Sequence, residues 1–378
     1  MSCTETQLAI RNDSVVSQLF DSSNHSVHLR REEKYEPPDK NEIRLCSIEP
    51  SNDKRSELRC QLSVTRLNGI VNYKCLSYVW GSGDGDLIAL QGHSHSVTPN
   101  LHSALTRLRA NSISTNIWID AICINQKDEV EKGQQVAIMG RVFAKAEEVV
   151  IWLGEDGVET AASAAIRQET MDIVPVDHVL RPLANGQHFH DLPIALPCRA
   201  RCCAASVHRS FDAGADWSRV LTTLRSIFNT VWFERAWTVQ EIVLAKKARF
   251  LYGDASLSWN TVFHAFVNLG HHMRSCYSEC VFGLPGDESR ALYEMARSII
   301  DLVNARAGLE RGQHLVQSLL KFNWKKASNT HDKSYGLLGL QSGRTPTPVV
   351  PDYNISLQVL FSTFATDIIR TQGWLVPL

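Results

Sequence analysis

Between residues 73 and 154 short apolar runs alternate with segments of helical period, and this alternation constrains the fold more than any other feature of the chain. Tyr73–Trp80 (YKCLSYVW) reads as a buried strand that stops at Gly81. The following GSGDGD is a turn: it leads into a hairpin strand, not a helix, and carries no Lys-Ser/Thr for a phosphate. Leu87–Leu90 and Ser94–Thr98 read as a short hairpin around Gly92. Asn100 can cap a helix running from Leu101 to about Ala110, with Leu101, Leu105 and Leu108 on one apolar stripe. Ile117–Ile122 (IWIDAI) has no clear period, as expected of a strand covered on both faces. Asp128–Ala146 is a helix, and Val149–Leu153 (VVIWL) a buried strand ended by Gly154. Strand, helix, strand, helix, strand predicts a parallel sheet with helices on its faces and right-handed connections.

The flanks divide the chain further. Residues 1–41 are polar and mixed, and read as a loosely ordered lead-in. Residues 42–155 form the α/β core, opened by two alternating strands, Glu42–Ile48 and Cys60–Leu67, in a hairpin-like arrangement. Residues 156–215 are rich in Ala, His, Cys and Pro and read as an irregular insert. Residues 216–378 read as a mainly helical second lobe. In it Trp217–Phe228, Val231–Leu244, Trp259–His271, Ser289–Ala305, His314–Phe322 and Ser356–Arg370 are helices, and Ala248–Tyr252 is a short strand. The fold class expected is therefore α/β, a parallel or mixed sheet flanked by helices with a helical second lobe.

The 378 residues are 44% hydrophobic and 21% charged, ordinary for a globular protein and too apolar for disorder throughout. A formal net charge of -1 with interspersed signs gives no global field for nucleic acid or anionic lipid, so no nucleic-acid partner is expected. No secretory signal or membrane-spanning run is seen, which predicts a cytoplasmic protein with reduced thiols. Of the ten cysteines, Cys75 and Cys123 sit in strand-like runs as small buried residues. Cys198, Cys202, Cys203, Cys276 and Cys280, with His188, His190 and His208, hint at zinc, but their gaps do not form two matched pairs at standard spacing, and no metal site is assigned.

Three blocks resemble the fungal heterokaryon-incompatibility (HET) domain family: YKCLSYVWG at Tyr73–Gly81, the run from Asn100 through IWIDAICINQ to Gly154, and VWFERAWTVQEIVLAKKARFLYGD at Val231–Asp254. A weaker block is HDKSYGLLGL at His331–Leu340, followed by PDYNISLQVLF at Pro351–Phe361. The chain departs from the family pattern at Lys132, where Arg is usual, at Phe143, where Tyr is usual, and around His331. The resemblance implies a role in nonself recognition and programmed cell death, exercised through a protein partner or self-association. It further implies a distantly TIR-like core, and some TIR domains cleave NAD. NAD is thus a possible substrate, and no cofactor is assigned. A scaffold without toxicity is the third reading.

In open parallel sheets, ligands sit at the carboxyl ends of the strands. Here those ends carry Ser77, Tyr78, Trp80 and Gly81, then Asp120, Cys123, Asn125 and Gln126, with Glu131 and Gln135 opening the next helix. Rings, amides and carboxylates on one rim suit a nucleotide-like ligand, so Tyr78, Trp80, Gly81, Cys123, Asn125, Gln126 and Gln135 are candidate binding residues. Glu131, Asp120 and Glu241 are the candidate catalytic carboxylates. Each has a structural alternative. Glu131 lies three after Asp128, as in a capping box, and Gln135 one turn later could belong to a solvated face. Asp120, in an apolar run, needs a partner such as Arg141 or a place in a site. Trp80, Trp118 and Trp152 fit core packing as well as stacking. Phe233, Trp237, Gln240 and Leu244 fall on one helical stripe, and Arg235 can pair with a buried carboxylate.

Overall fold

The structure is a computed structural model that describes residues 39, 41–53, 55–69, 71–83, 85–155, 176–186, 217–275, 286–310, 315–340 and 349–372. The expected lead-in therefore lies almost wholly outside the described residues, as do the insert's cysteines and histidines and Cys276 and Cys280.

In chain order the first strands are β1 (Glu42–Ile48), β2 (Arg59–Arg66), β3 (Lys74–Tyr78), β4 (Asp86–Leu90) and β5 (His93–Val97). Helix α1 (Pro99–Ala110), β6 (Ile117–Trp118), α2 (Asp120–Cys123), α3 (Glu129–Lys145) and β7 (Glu148–Trp152) follow. Then come α4 (Val176–Ala184), α5 (Trp217–Phe228), a 3-10 turn at Val231–Glu234, α6 (Thr238–Val243), β8 (Ala248–Tyr252) and β9 (Ala255–Ser258). Helices α7 (Trp259–Ser275), α8 (Gly286–Glu310), α9 (Leu315–Lys321), α10 (Asp332–Tyr335) and α11 (Leu357–Gln372) complete the helical C-terminal region.

Among the described residues, nine strands join one mixed sheet in the order β5-β4-β2-β1-β6-β3-β7-β8-β9. Its centre, β6-β3-β7-β8, is parallel, with Cys75 opposite Trp118 on one side and Val149 on the other. The β1–β2 pair and the β4–β5 and β8–β9 hairpins are antiparallel. All five residues of β7 are buried, as suits a strand with neighbours on both edges and cover on both faces. The turn between β4 and β5 holds Gln91 and Gly92 at φ 53° and 76°, the left-handed pair that a two-residue hairpin requires. The chain leaves β3 for β6 on one side and returns in β7 on the other, so the strand order reverses at β3.

Several local expectations change. The run IWIDAI is a strand only to Trp118. The Asp120 carboxylate accepts from the Ala121 N–H and Cys123 N–H bonds back to Ile119, which starts a helical turn. Thr98 caps α1 instead of Asn100, accepting from Leu101 N–H with Pro99 in the first turn. The Asn100 side chain is buried and joins the Trp152 indole to the Val79 carbonyl. Residues 231–244 are not one helix. The 3-10 turn ends where Arg235 bridges to Lys326, and Ala236 N–H bonds to the Lys326 carbonyl before α6 begins. The stripe expected from Phe233 to Leu244 is broken there. Strand β9 goes beyond the expected elements, and β8 and β9 extend the central sheet itself.

Candidate functional site

A cleft of about 260 Å³ opens at the carboxyl end of β3, where the strand order reverses. This is the position at which open α/β sheets take their ligands. Strand β3 contributes Leu76, Ser77 and Tyr78, with Trp80 just past its end, and the turn after β6 contributes Asp120, Ile124 and Gln126. Helix α3 supplies Lys132 and an apolar floor of Val136, Met139 and Phe143. Arg235, Trp237 and Glu241 come from the segment around α6, and Ser328, Asp332 and Tyr353 from the C-terminal region.

Each carboxylate is held differently. Asp120 accepts from the Trp80 indole N–H at 2.8 Å and the Ala121 N–H at 2.8 Å, and also bonds the Tyr78 side chain. Its backbone carbonyl takes the Gln126 amide at 2.9 Å. Burial pushes the Asp120 carboxyl above its ordinary range, while the Trp80 bond, the Arg235 charge, the Ala121 N–H and Tyr78 pull it down. Trp80, at 37% exposure, leaves much of its ring open. Glu241 is 6% exposed and accepts from the Ser77 hydroxyl, which itself accepts from the Trp232 indole at 2.7 Å. Burial raises Glu241 to about 7, against the opposing pull of Arg235 and Ser77. Arg235 donates to the Tyr78 carbonyl at 2.6 Å, which fixes its guanidinium beside both carboxylates. Asp332 accepts from the Tyr353 hydroxyl at 2.8 Å and bonds the Trp237 side chain. Burial raises it too, opposed by those two bonds and by Lys132 and Arg235.

Glu131 is placed elsewhere. Its carboxylate forms a fork with the Arg44 guanidinium at 2.5 and 3.0 Å and accepts from the Asn125 N–H at 2.8 Å. Both side chains are buried, at 5% and 2% exposure. Asp128 does cap α3, accepting from the Val130 and Glu131 N–H groups, but Glu131 does not complete the box. Gln135 donates to the Glu42 carbonyl, and the Cys123 sulfur accepts from Ile119 N–H with its thiol raised to about 12 by burial. Gly81 turns the chain out of β3 at φ 74°, and Asn125 closes the turn before α3. None of these four lines the cleft, nor does Glu131. Arg141 bonds Asn41 and is not the partner of Asp120. Among the described residues no group of three or more His, Cys, Asp or Glu is placed to hold a metal ion.

The family described as Heterokaryon incompatibility protein (HET) matches residues 73–241, the segment that carries β3, Asp120, Arg235 and Glu241. Over that segment the chain is similar to the HET family. A relative in Neurospora crassa, heterokaryon incompatibility protein 6 (OR allele), is 26% identical over 386 residues, covering 88% of this chain and 52% of the relative. The chain thus spans about half the length of that protein. No solved structure matches it. The HET segment stops short of the whole cleft, because Ser328, Asp332 and Tyr353 follow it in the chain. Those residues and Lys132 were not among the site candidates. The blocks at His331–Leu340 and Pro351–Phe361 resemble the family pattern, but no local signal in them places them over the end of β3. Among the described residues no helix is long and apolar enough to cross a membrane.

Proposed function

We propose that this chain acts in fungal heterokaryon incompatibility as a cytoplasmic cell-death effector whose toxic step is hydrolysis of the N-glycosidic bond of NAD or a related nucleotide. The observation that carries this reading is the pairing of Asp120 and Glu241 around Arg235 in one cleft, beside the half-open ring of Trp80. Cleavage of such a bond passes through an oxocarbenium-like ribose, which a fixed carboxylate stabilises. Asp120, oriented by the Trp80, Tyr78 and Ala121 donors, suits that task. Glu241, titrating near neutrality, suits the proton of the attacking water. The C1′–N bond breaks with its electron pair passing to the pyridinium nitrogen. Water oxygen bonds C1′, and its proton leaves through Glu241 to solvent. Trp80 offers a face for the heterocycle.

A second reading is signalling through a protein partner or another copy, and it draws on the exposed apolar residues Val359 and Phe361 of α11. Induced expression with NAD content and viability followed together separates the two. The hydrolase reading expects NAD to fall before death, and both to be spared by Asp120→Asn or Glu241→Gln in protein that stays folded. Death with NAD intact leaves the association reading, and no death at all leaves a scaffold.

A further inference from the structure

The C-terminal region closes the cleft with an arrangement that local structure does not require. Asp332 stands in the first turn of α10, where a carboxylate usually caps backbone N–H groups. It does not cap: the residue before it, His331, makes no side-chain cap either, and the Asp332 carboxylate turns instead to the Tyr353 hydroxyl and Trp237. Two donors from separate segments hold it rigid. Lys132 Nζ lies 5.3 Å from the centre of the Tyr353 ring, and both Lys132 and Arg235 act on Asp332 electrostatically. The result is a fixed acceptor beside two cations, all facing one cavity.

We propose that Asp332, with Lys132 and Arg235, is a ribose-phosphate subsite. Asp332 accepts from sugar hydroxyls, and the two cations take the attached phosphate. A carboxylate reading ribose hydroxyls and Arg or Lys reading phosphate are general pairings of donor and acceptor. The apportionment follows from the geometry. The Asp332 carboxylate is already anchored by Tyr353 and Trp237, so an anion could not displace it, whereas a hydroxyl donor adds to it. Lys132 is held by a 3.5 Å ion pair to Glu129 at the surface and by a ring face, contacts that an arriving phosphate can replace. The subsite rests on the reading of the cleft as a nucleotide site, and it assigns a binding role to residues outside the HET segment.

Binding of nicotinamide mononucleotide and of nicotinamide riboside, which lacks only the phosphate, tests it. The Glu241→Gln protein keeps both probes intact, and quenching of tryptophan fluorescence reports occupancy. The mononucleotide is expected to bind at least about tenfold tighter, the usual worth of charge-assisted hydrogen bonds. Adding Lys132→Gln should bring the two affinities to within roughly threefold of each other, chiefly by weakening the mononucleotide. Adding Asp332→Asn should weaken both probes by about tenfold without narrowing their ratio. Circular dichroism confirms that each protein is folded, and the Lys132 arm stands alone if the Asp332 variant is not. A ratio indifferent to Lys132 together with affinities indifferent to Asp332 overturns the subsite while leaving the nucleotide reading intact. Failure of both probes to bind the Glu241→Gln and the wild-type protein overturns both.

Discussion

At the scale of single residues, the buried carboxylates set how stability depends on pH. Glu241 titrates near 7 in the folded protein because burial penalises its charge, against about 4.3 in an unfolded chain. Below the lower value both states hold the proton and the penalty is absent. As pH rises from there through 7, the unfolded state releases its proton first, and folding stability falls. The full loss from this residue is on the order of 3 kcal/mol. Glu241→Gln should therefore stabilise the protein at pH 8 and do little at pH 4, which urea denaturation at the two values will show. An equal effect at both would mean that burial does not raise this carboxyl. The Arg44–Glu131 pair behaves in the opposite sense to a site. Its charges are fully matched to each other, to the Cys123 carbonyl and to Asn125 N–H. Removing one member strands the other in a dry interior, so Glu131→Gln should cost roughly 3–5 kcal/mol. The double change Arg44→Met, Glu131→Leu should recover most of that loss, measured by the same denaturation.

At the scale of elements, the parallel centre was legible from short, largely buried apolar runs, of which VVIWL is unbroken. The helix α3 was legible from Asp128 and the period that follows it. Asp120 was legible as a candidate because a carboxylate inside an apolar segment must be partnered, and Glu241 only as a polar member of the segment 231–244. Glu131 misled for a physical reason. The capping signal around it is real, but an arginine 87 residues earlier claims its carboxylate, and nothing local announces Arg44. The break at Arg235 was hidden likewise, since the strap that interrupts the helix comes from Lys326. The docking of α3 against the C-terminal region depends on a contact of the same distant kind. Gly140 and Gly339 meet so closely that a Cβ on Gly339 would stand 2.7 Å from the Gly140 Cα and 2.7 Å from Gln240 Oε1. Backbone on one side cannot yield, so Gly339→Ala should cost about 1–3 kcal/mol. It should also displace the segment that carries Asp332, seen as faster amide exchange across residues 331–340 with the parallel strands unchanged. Unaltered exchange there would mean that the contact does not hold the cleft's outer wall.

At the scale of the whole molecule, the HET match and the folding unit have different limits. The matched segment, 73–241, contains β3, β6 and β7 but neither β1 nor β8. Without β8, the wholly buried β7 would present a bare parallel edge, a template for aggregation. Without β1, Glu131 would lose Arg44 and keep its burial. Without residues 324–326, the strap at Arg235 would be gone, together with the Lys325 ammonium that donates to the Phe233 carbonyl. The last two losses strike segments that carry cleft residues, α3 with Lys132 and the stretch around Arg235. A fragment limited to 73–241 should therefore be insoluble or lack fixed tertiary structure by near-ultraviolet circular dichroism. A fragment of 37–372, which keeps every strand, the Arg44–Glu131 fork and the strap, should unfold in one cooperative transition. If the short fragment instead folds and binds nicotinamide mononucleotide as tightly as the long one, Asp332 and Tyr353 are not part of the binding site. The flanks would then be dispensable to its core as well, and the sheet would be held together by β3, β6 and β7 alone.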